Sequence, residues 1–246
     1  MGKESRKRDR SGEREMTGKI TGLENAAQVP PKVRQMYRAV IELIEEGTDV
    51  GGIRVSTITE RAGIGKGTAY EYFDSKEELV ACAVVYQLQC VFGWLEREME
   101  KRESLGEQMN FLLNEMGKKD GRRHGFLRFV HMLTDNSGFS GLVREKMEAK
   151  EFAPYLPMNV FGKVLKRGVE RGELRNDLPL EYLIYCVFSH LLTYMMAITT
   201  EDCFCVKPEV MRPLVYQGIM NELGQDRNQI GNAPAADGKL LTPSQK

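Results

Sequence analysis

Cysteine, histidine and tryptophan are scarce in this chain: five, three and one among 246 residues. A small, odd number of cysteines excludes a secreted scaffold built on disulfides. Net charge is also missing, because 35 Lys and Arg offset 35 Asp and Glu. That excludes a protein that wraps nucleic acid through overall basic charge, but not one with a local recognition face. No apolar run reaches the ~20 residues that a membrane span needs. The nearest approach, Tyr182 to Ile198, is 17 residues long and contains Ser189, His190 and Thr193. It reads as a helix buried on most sides, in a core or a subunit interface. Sustained period-2 alternation is absent, so the expected fold class is all-α. There is no internal repeat. The opening Met1 to Arg10 is charged and holds no apolar stretch, so no leader is read there. The expectation is a reduced, cytoplasmic protein with no membrane partner. Hydrophobic residues at 41% and charged residues at 28% fit a globular protein with a sizeable core in one or two domains.

The chain divides by composition. Residues 1–28 form a polar tail, expected to be disordered; residues 1–19 hold seven Lys and Arg against four Asp and Glu. The tail is either solvated or an arm that touches DNA phosphates or a minor groove. Residues 29–78 form a first domain, 79–224 a second, and 225–246 a second disordered tail rich in Gln, Asn, Gly, Ala and Pro. Pro30-Pro31 punctuates a helix start, and Val33, Met36, Tyr37, Val40, Ile41 and Ile44 recur on one helical face up to Gly47. Thr57-Ile-Thr-Glu60 has capping-box spacing and predicts a short helix from Thr57. Gly63 supplies a tight turn, and a second short helix runs from about Gly65 to Tyr72. The overlapping boxes Asp74-Ser-Lys-Glu77 and Ser75-Lys-Glu-Glu78 start a third, continued by the apolar face from Leu79 to Met99. Further helices are predicted at 105–117, 125–134, 140–152, 159–171, 179–198 and 208–223, with breaks at Pro154 and Pro157.

Two short helices joined by a tight glycine turn make a helix-turn-helix, whose second helix is the one that enters a DNA major groove. Over residues 57–79 the sequence resembles the N-terminal DNA-binding domain of the tetracycline-repressor (TetR) family of bacterial transcription regulators. The resemblance rests on Thr57-Ile58, Arg61-Ala62-Gly63-Ile64, Lys66-Gly67-Thr68-x-Tyr70-x-Tyr72-Phe73 and Ser75-Lys76-Glu77-Glu78-Leu79. With the preceding helix it covers about a fifth of the chain; beyond residue 80 it is architectural only. It implies an N-terminal three-helix DNA-binding domain followed by a helical bundle that binds an effector and dimerises. It also implies a homodimeric repressor, not an enzyme, released from a palindromic operator by a small, largely apolar molecule. The pairing helices would be about 159–171 and 179–199.

The same resemblance implies DNA contacts from Ser56 or Thr57, Lys66, Gly67, Thr68, Tyr70, Tyr72 and Lys76. An ammonium at Lys66 suits a phosphate or a guanine edge, and Gly67 lets the backbone approach. Thr68 offers a hydroxyl and a methyl, the two tyrosines offer phenols, and Lys76 starts a helix whose free N–H groups favour phosphate. Tyr70 and Tyr72 are alternatively core, and Thr57 is foremost a helix cap. Ile58, Ala62, Ala69 and Phe73 read as core. The family commonly has Ser or Thr where Gly65 stands here, which removes one hydroxyl. Residues 32–78 hold seven Lys and Arg against nine Asp and Glu, so DNA binding has to come from local geometry.

Other motifs fail on their own terms. Gly63-Ile-Gly-Lys-Gly-Thr lacks the spacing of a phosphate loop and the strand of a dinucleotide fingerprint, and no cofactor is implied. Cys186, His190, Cys203 and Cys205 would be the ligands of an alternative, an all-α metal- or thiol-binding protein or enzyme, yet their spacing matches no common zinc site. Soft and aromatic residues such as Trp94 and Phe161 crowd 80–200. Asn114, Phe129, His131, Tyr155, Met158 and His190 are the candidates for an effector pocket, apolar with a few polar anchors.

Overall fold

The computed structural model describes residues 19–25, 28–48, 50–118, 138–199 and 206–225. The helix expected over 125–134, residues 1–18 and 226–246, and Phe129, His131, Cys203 and Cys205 lie outside them. The described residues form α-helices and no strand, as the missing alternation required. The chain divides into two compact units, one ending at Ala83 and the other beginning at Val84.

The first unit contains α1 (Pro31–Glu45), α2 (Val55–Arg61), α3 (Lys66–Tyr72) and the first residues of α4 (Lys76–Glu100). Pro31 occupies the first turn of α1, where a missing N–H costs nothing. α1 packs on α2 and α3. Val33, Met36, Tyr37 and Val40 of α1 meet Ile58 of α2, Ala69 of α3, Phe73 and Leu79 in a core from which each is almost wholly withdrawn from solvent. The Tyr37 and Phe73 rings lie 6.0 Å apart. Full burial of side chains this large stabilises by roughly 1.5–3 kcal/mol apiece.

Two local expectations meet different fates. α2 opens at Val55 behind Arg54, not at Thr57, and no side chain caps it. Val55 and Ile58 are both buried, so the apolar face draws the helix start back two residues. Thr57 is exposed inside the first turn, and the Thr59 hydroxyl donates to the Val55 and Ser56 carbonyls instead. At α4 the box holds. The Ser75 hydroxyl accepts from Glu78 N at 3.0 Å, and the Glu78 carboxylate accepts from Asp74 N at 3.0 Å. Between α2 and α3, Gly63 has φ +66°, a conformation costly for any residue with a Cβ.

Residues 19–25, inside the stretch read as a tail, are packed in place. Ile20 is fully buried, its N–H donates to the Tyr72 carbonyl at 3.1 Å, and its own carbonyl accepts from the Cys82 thiol. Lys19 donates to the Tyr70 carbonyl and pairs with Asp74 at 2.7 Å. The segment therefore ties the C-terminal end of α3 to the start of α4. A single isoleucine among charged residues carries no periodicity, which is why the sequence hides it.

The second unit contains the rest of α4, α5 (Leu105–Gly117), α6 (Gly138–Met147), α7 (Pro157–Glu170), α8 (Leu180–Thr199) and α9 (Pro208–Leu223). α5 and α9 keep the predicted bounds. Ser104 caps α5 by accepting from Glu107 N, while the Glu107 carboxylate accepts from Glu103 N. α6 stops at Met147, short of the expected 152. Turns follow that bury Phe152, then a short 3-10 turn over Ala153–Tyr155. α8 packs on both α7 and α9, and α5 also contacts α7, α8 and α9. An isolated antiparallel bridge between Leu174 and Gly224 fastens the end of α9 to the α7–α8 connection.

α4 and α8 are long and apolar enough to cross a membrane by composition. Two thirds of α4's apolar window is buried inside the protein, as expected of a core helix, but only half of α8's. Tyr182, Tyr185, Leu192 and Met196 leave α8 outward, and Val210 and Leu214 leave α9. The outer face of 159–171, one of the two stretches expected to pair, carries Asn159, Lys163, Lys166 and Arg167. Two of these pair with acids on α4: Lys163 with Glu96 at 2.5 Å and Arg167 with Glu100 at 3.0 Å.

Candidate functional site

α3 is two turns long and two-sided. Ala69 and Phe73, four apart, point into the core. Lys66, Gly67, Tyr70 and Glu71 face out, with Thr68 and Tyr72 half-exposed. Tyr70 keeps 48% of its surface, unusual for an aromatic side chain that nothing in the first unit repels. Tyr72 leans on the Phe73 ring, 6.5 Å away, so one tyrosine faces outward and the other is part of the flank. A Cβ added at Gly65 or Gly67 would meet nothing within 4 Å. Packing therefore does not require glycine at either position, and the bare backbone is free for close approach by something external. Gly65 stands at the N-cap position of the helix in extended conformation.

Around this face several acids are paired. Arg61 donates to Glu46 at 2.7 Å and thereby holds its carboxyl below the usual range. Asp74 pairs with Lys19, and Glu77 with Lys76. Such exposed pairs add little stability, and only Lys19, which comes from outside residues 32–78, reduces their negative excess. Lys76 stands in the first turn of α4, and its ammonium donates to the Gly51 carbonyl at 3.0 Å. Ser56 is half-exposed at the start of α2 beside the exposed Thr57. Glu71, outward on α3, is a residue the sequence reading passed over. Its carboxylate is an acceptor beside donors and phenols, the pattern a cytosine amino group would complement.

The four candidate pocket residues among the described residues are not brought together. Tyr155 lies against Gly93 on α4 and near the Phe152 ring. Met158 is exposed. Asn114 accepts from Arg212 of α9. His190 rests on α9, with Nε2 3.9 Å from Glu222 and Nδ1 2.9 Å from the Cys186 carbonyl. An apolar cavity lies elsewhere among the described residues, lined by Val91, Phe92, Trp94, Leu95, Leu112, Glu115, Met116 and Phe161. Its volume is about 50 Å³. These residues carry only core periodicity in sequence, so nothing there distinguishes a cavity wall from filled core.

The metal alternative finds no support. Among the described residues no group of three His, Cys, Asp or Glu is set to hold an ion. Cys186 donates to Glu222 at 3.1 Å, and burial together with that carboxylate pushes its thiol up, away from thiolate chemistry.

Comparison with known proteins agrees with this geometry. Residues 39–82 match the family described as bacterial regulatory proteins, tetR family. The fatty acid metabolism regulator protein of Bacillus subtilis (strain 168) is 22% identical over 199 residues, which cover 79% of this chain and 99% of that one. The solved fatty acid degradation regulator FadR of Bacillus halodurans superposes with TM-score 0.57 at 20% identity, covering 78% of this chain and 96% of that one. FadR from Bacillus subtilis, solved with stearoyl-CoA, superposes with TM-score 0.55 at 17% identity, covering 78% and 98%. With its helix-turn-helix and its second helical unit, the chain is similar to the TetR family of bacterial regulatory proteins, whose model it matches over residues 39–82.

Proposed function

We propose that this protein is a homodimeric transcriptional repressor that binds a palindromic operator and is released from it by a long-chain acyl thioester. The outward face of α3 carries the reading: Lys66, Gly67, Thr68, Tyr70 and Glu71 stand on a rigid base of Ala69 and Phe73. Lys66 and Tyr70 contact base edges or the adjoining backbone, and Gly67 admits the backbone close to the groove. Tyr72, Ser56, Thr57 and the first turn of α4 at Lys76 hold phosphates on either side. The pairing surface is the outward apolar face of α8 and α9. Two recognition helices then sit about 34–36 Å apart, one turn of DNA. The protein works in the cytoplasm and is not an enzyme.

The acyl assignment rests on the apolar cavity and on the stearoyl-CoA bound by the Bacillus subtilis relative. A void of about 50 Å³ is well below the ~300–1,000 Å³ of small-molecule sites. An acyl chain enters only by parting α4, α5 and α7. α4 is continuous from Lys76 to Glu100, so displacement at Val91 to Leu95 is carried along it towards its first turn. The chain thus favours a second spacing of the recognition helices and weakens operator binding by its differential affinity for the two states.

Lys66→Ala and Tyr70→Ala are each expected to weaken operator binding by about 1–3 kcal/mol without changing the melting temperature, because both side chains are outside the core. Fluorescence anisotropy against the operator, with a melting curve beside it, checks this. Unchanged affinity in both variants overturns the assignment of α3 as the reading helix.

A further inference from the structure

On the opposite side of α5 from the apolar cavity is a larger crevice of about 260 Å³, whose lining includes Asn114, Lys118, Tyr194 and Arg212, with Glu209 as its acid. We propose that this crevice binds the phosphate-bearing head of the acyl thioester whose chain enters the apolar cavity. The proposal rests on the effector reading above and adds to it the place of the charged end.

Four features support it. Arg212 donates to the Asn114 side-chain oxygen. Among the described residues no carboxylate lies within ion-pair distance of this guanidinium, whereas Arg61, Arg167 and Arg175 each sit on one. With its oxygen so engaged, the Asn114 amide nitrogen remains a donor. Tyr194 is buried, and its hydroxyl reaches the end of α5 where Gly117 stands; a Cβ there would lie 2.8 Å from the phenol oxygen. Glycine at 117 therefore keeps that hydroxyl in place at the crevice wall. Finally, Pro208 and Glu209 bring the first turn of α9 to the rim, where the helix dipole favours an anion.

The spacing also fits one ligand. Leu112 and Met116 line the apolar cavity, while Asn114 and Lys118, each two residues on, line the crevice. Two residues turn about 200° around a helix, so the sites lie on opposite sides of α5, separated by roughly its 10 Å diameter. The flexible arm of coenzyme A between thioester and phosphates exceeds that span. Arg212, Lys118 and Asn114 supply the charge-assisted donors that phosphate oxygens take up.

Calorimetric titration of the full chain with stearoyl-CoA, stearate and coenzyme A tests this on wild type, Arg212→Gln and Arg212→Lys. Arg212→Gln is expected to weaken stearoyl-CoA about tenfold, with stearate unchanged and Arg212→Lys restoring part of the loss. Equal weakening of stearate overturns the proposal, since the substitution would then act on the apolar cavity. Stearoyl-CoA binding wild type and Arg212→Gln alike removes the crevice assignment and leaves the effector reading standing. No binding of stearoyl-CoA to wild type removes both. Coenzyme A alone binding as tightly as stearoyl-CoA shows a nucleotide site unlinked to the chain, and also overturns the shared-ligand proposal.

Discussion

Phe73→Ala should cost the first unit about 3–5 kcal/mol and abolish operator binding through unfolding. Phe73 closes α3 and is almost wholly withdrawn from solvent, with its ring 6.0 Å from that of Tyr37. Its N–H completes the last turn by donating to Ala69 at 3.0 Å. Truncation leaves a cavity among Val33, Met36, Tyr37 and Ile58, side chains that cannot all collapse to fill it. A domain holds about 5–15 kcal/mol in total, so the loss takes a large share. Tyr70, three residues earlier but outward, should show the reverse: weakened DNA binding and an unchanged melting curve. Thermal denaturation followed by circular dichroism separates the two. An unaltered melting temperature for Phe73→Ala would contradict the account of how α3 is held.

The pairing face should fail as sharply. Tyr185 keeps 65% of its surface and Leu214 keeps 54%, and they lie on two helices packed against each other. Tyr182, Leu192, Met196 and Val210 on the same two helices are also exposed, and exposed apolar patches mark interaction sites. Tyr185→Glu combined with Leu214→Glu places four charges across a two-fold interface, where the contacts repeat on both partners. Light scattering should give twice 28.0 kDa for the wild type and 28.0 kDa for the double variant. Operator affinity should fall about a hundredfold or more as the second half-site is lost. A double variant that keeps the doubled mass would move the interface elsewhere.

How much of this was legible in sequence depends on the kind of signal. Helices bounded by caps and prolines were plain: α5 between Ser104 and Gly117, and α9 from Pro208, because these residues fix N–H and φ locally. The Ser75 box was legible for the same reason, whereas the Thr57 pattern misled. Burial of Val55 outweighed a cap whose worth is about 1 kcal/mol. The outward face of α3 was legible because Ala69 and Phe73 are so clearly the inner pair. Which of Tyr70 and Tyr72 faces out was not, since helical spacing alone leaves both near the edge of the face. The proposed effector site was mostly hidden. Asn114 lies in the proposed crevice, but tertiary packing sends Tyr155, Met158 and His190 to separate places. The cavity walls, Val91 to Phe161, are ordinary apolar residues. Ile20 shows the same limit at the other end of the chain, since a single buried side chain leaves no pattern to read.

The most direct measurement is fluorescence anisotropy of the refolded, ligand-free full chain against the duplex it selects from a random library, with a scrambled duplex as control and with stearoyl-CoA added in a second titration. The account predicts a selected site with inverted half-sites, bound about a thousandfold more tightly than the scramble, and a large loss of that affinity on adding stearoyl-CoA. No enriched sequence, or a selected duplex bound no better than the scramble, would contradict the reading of α3 as a DNA-recognition helix.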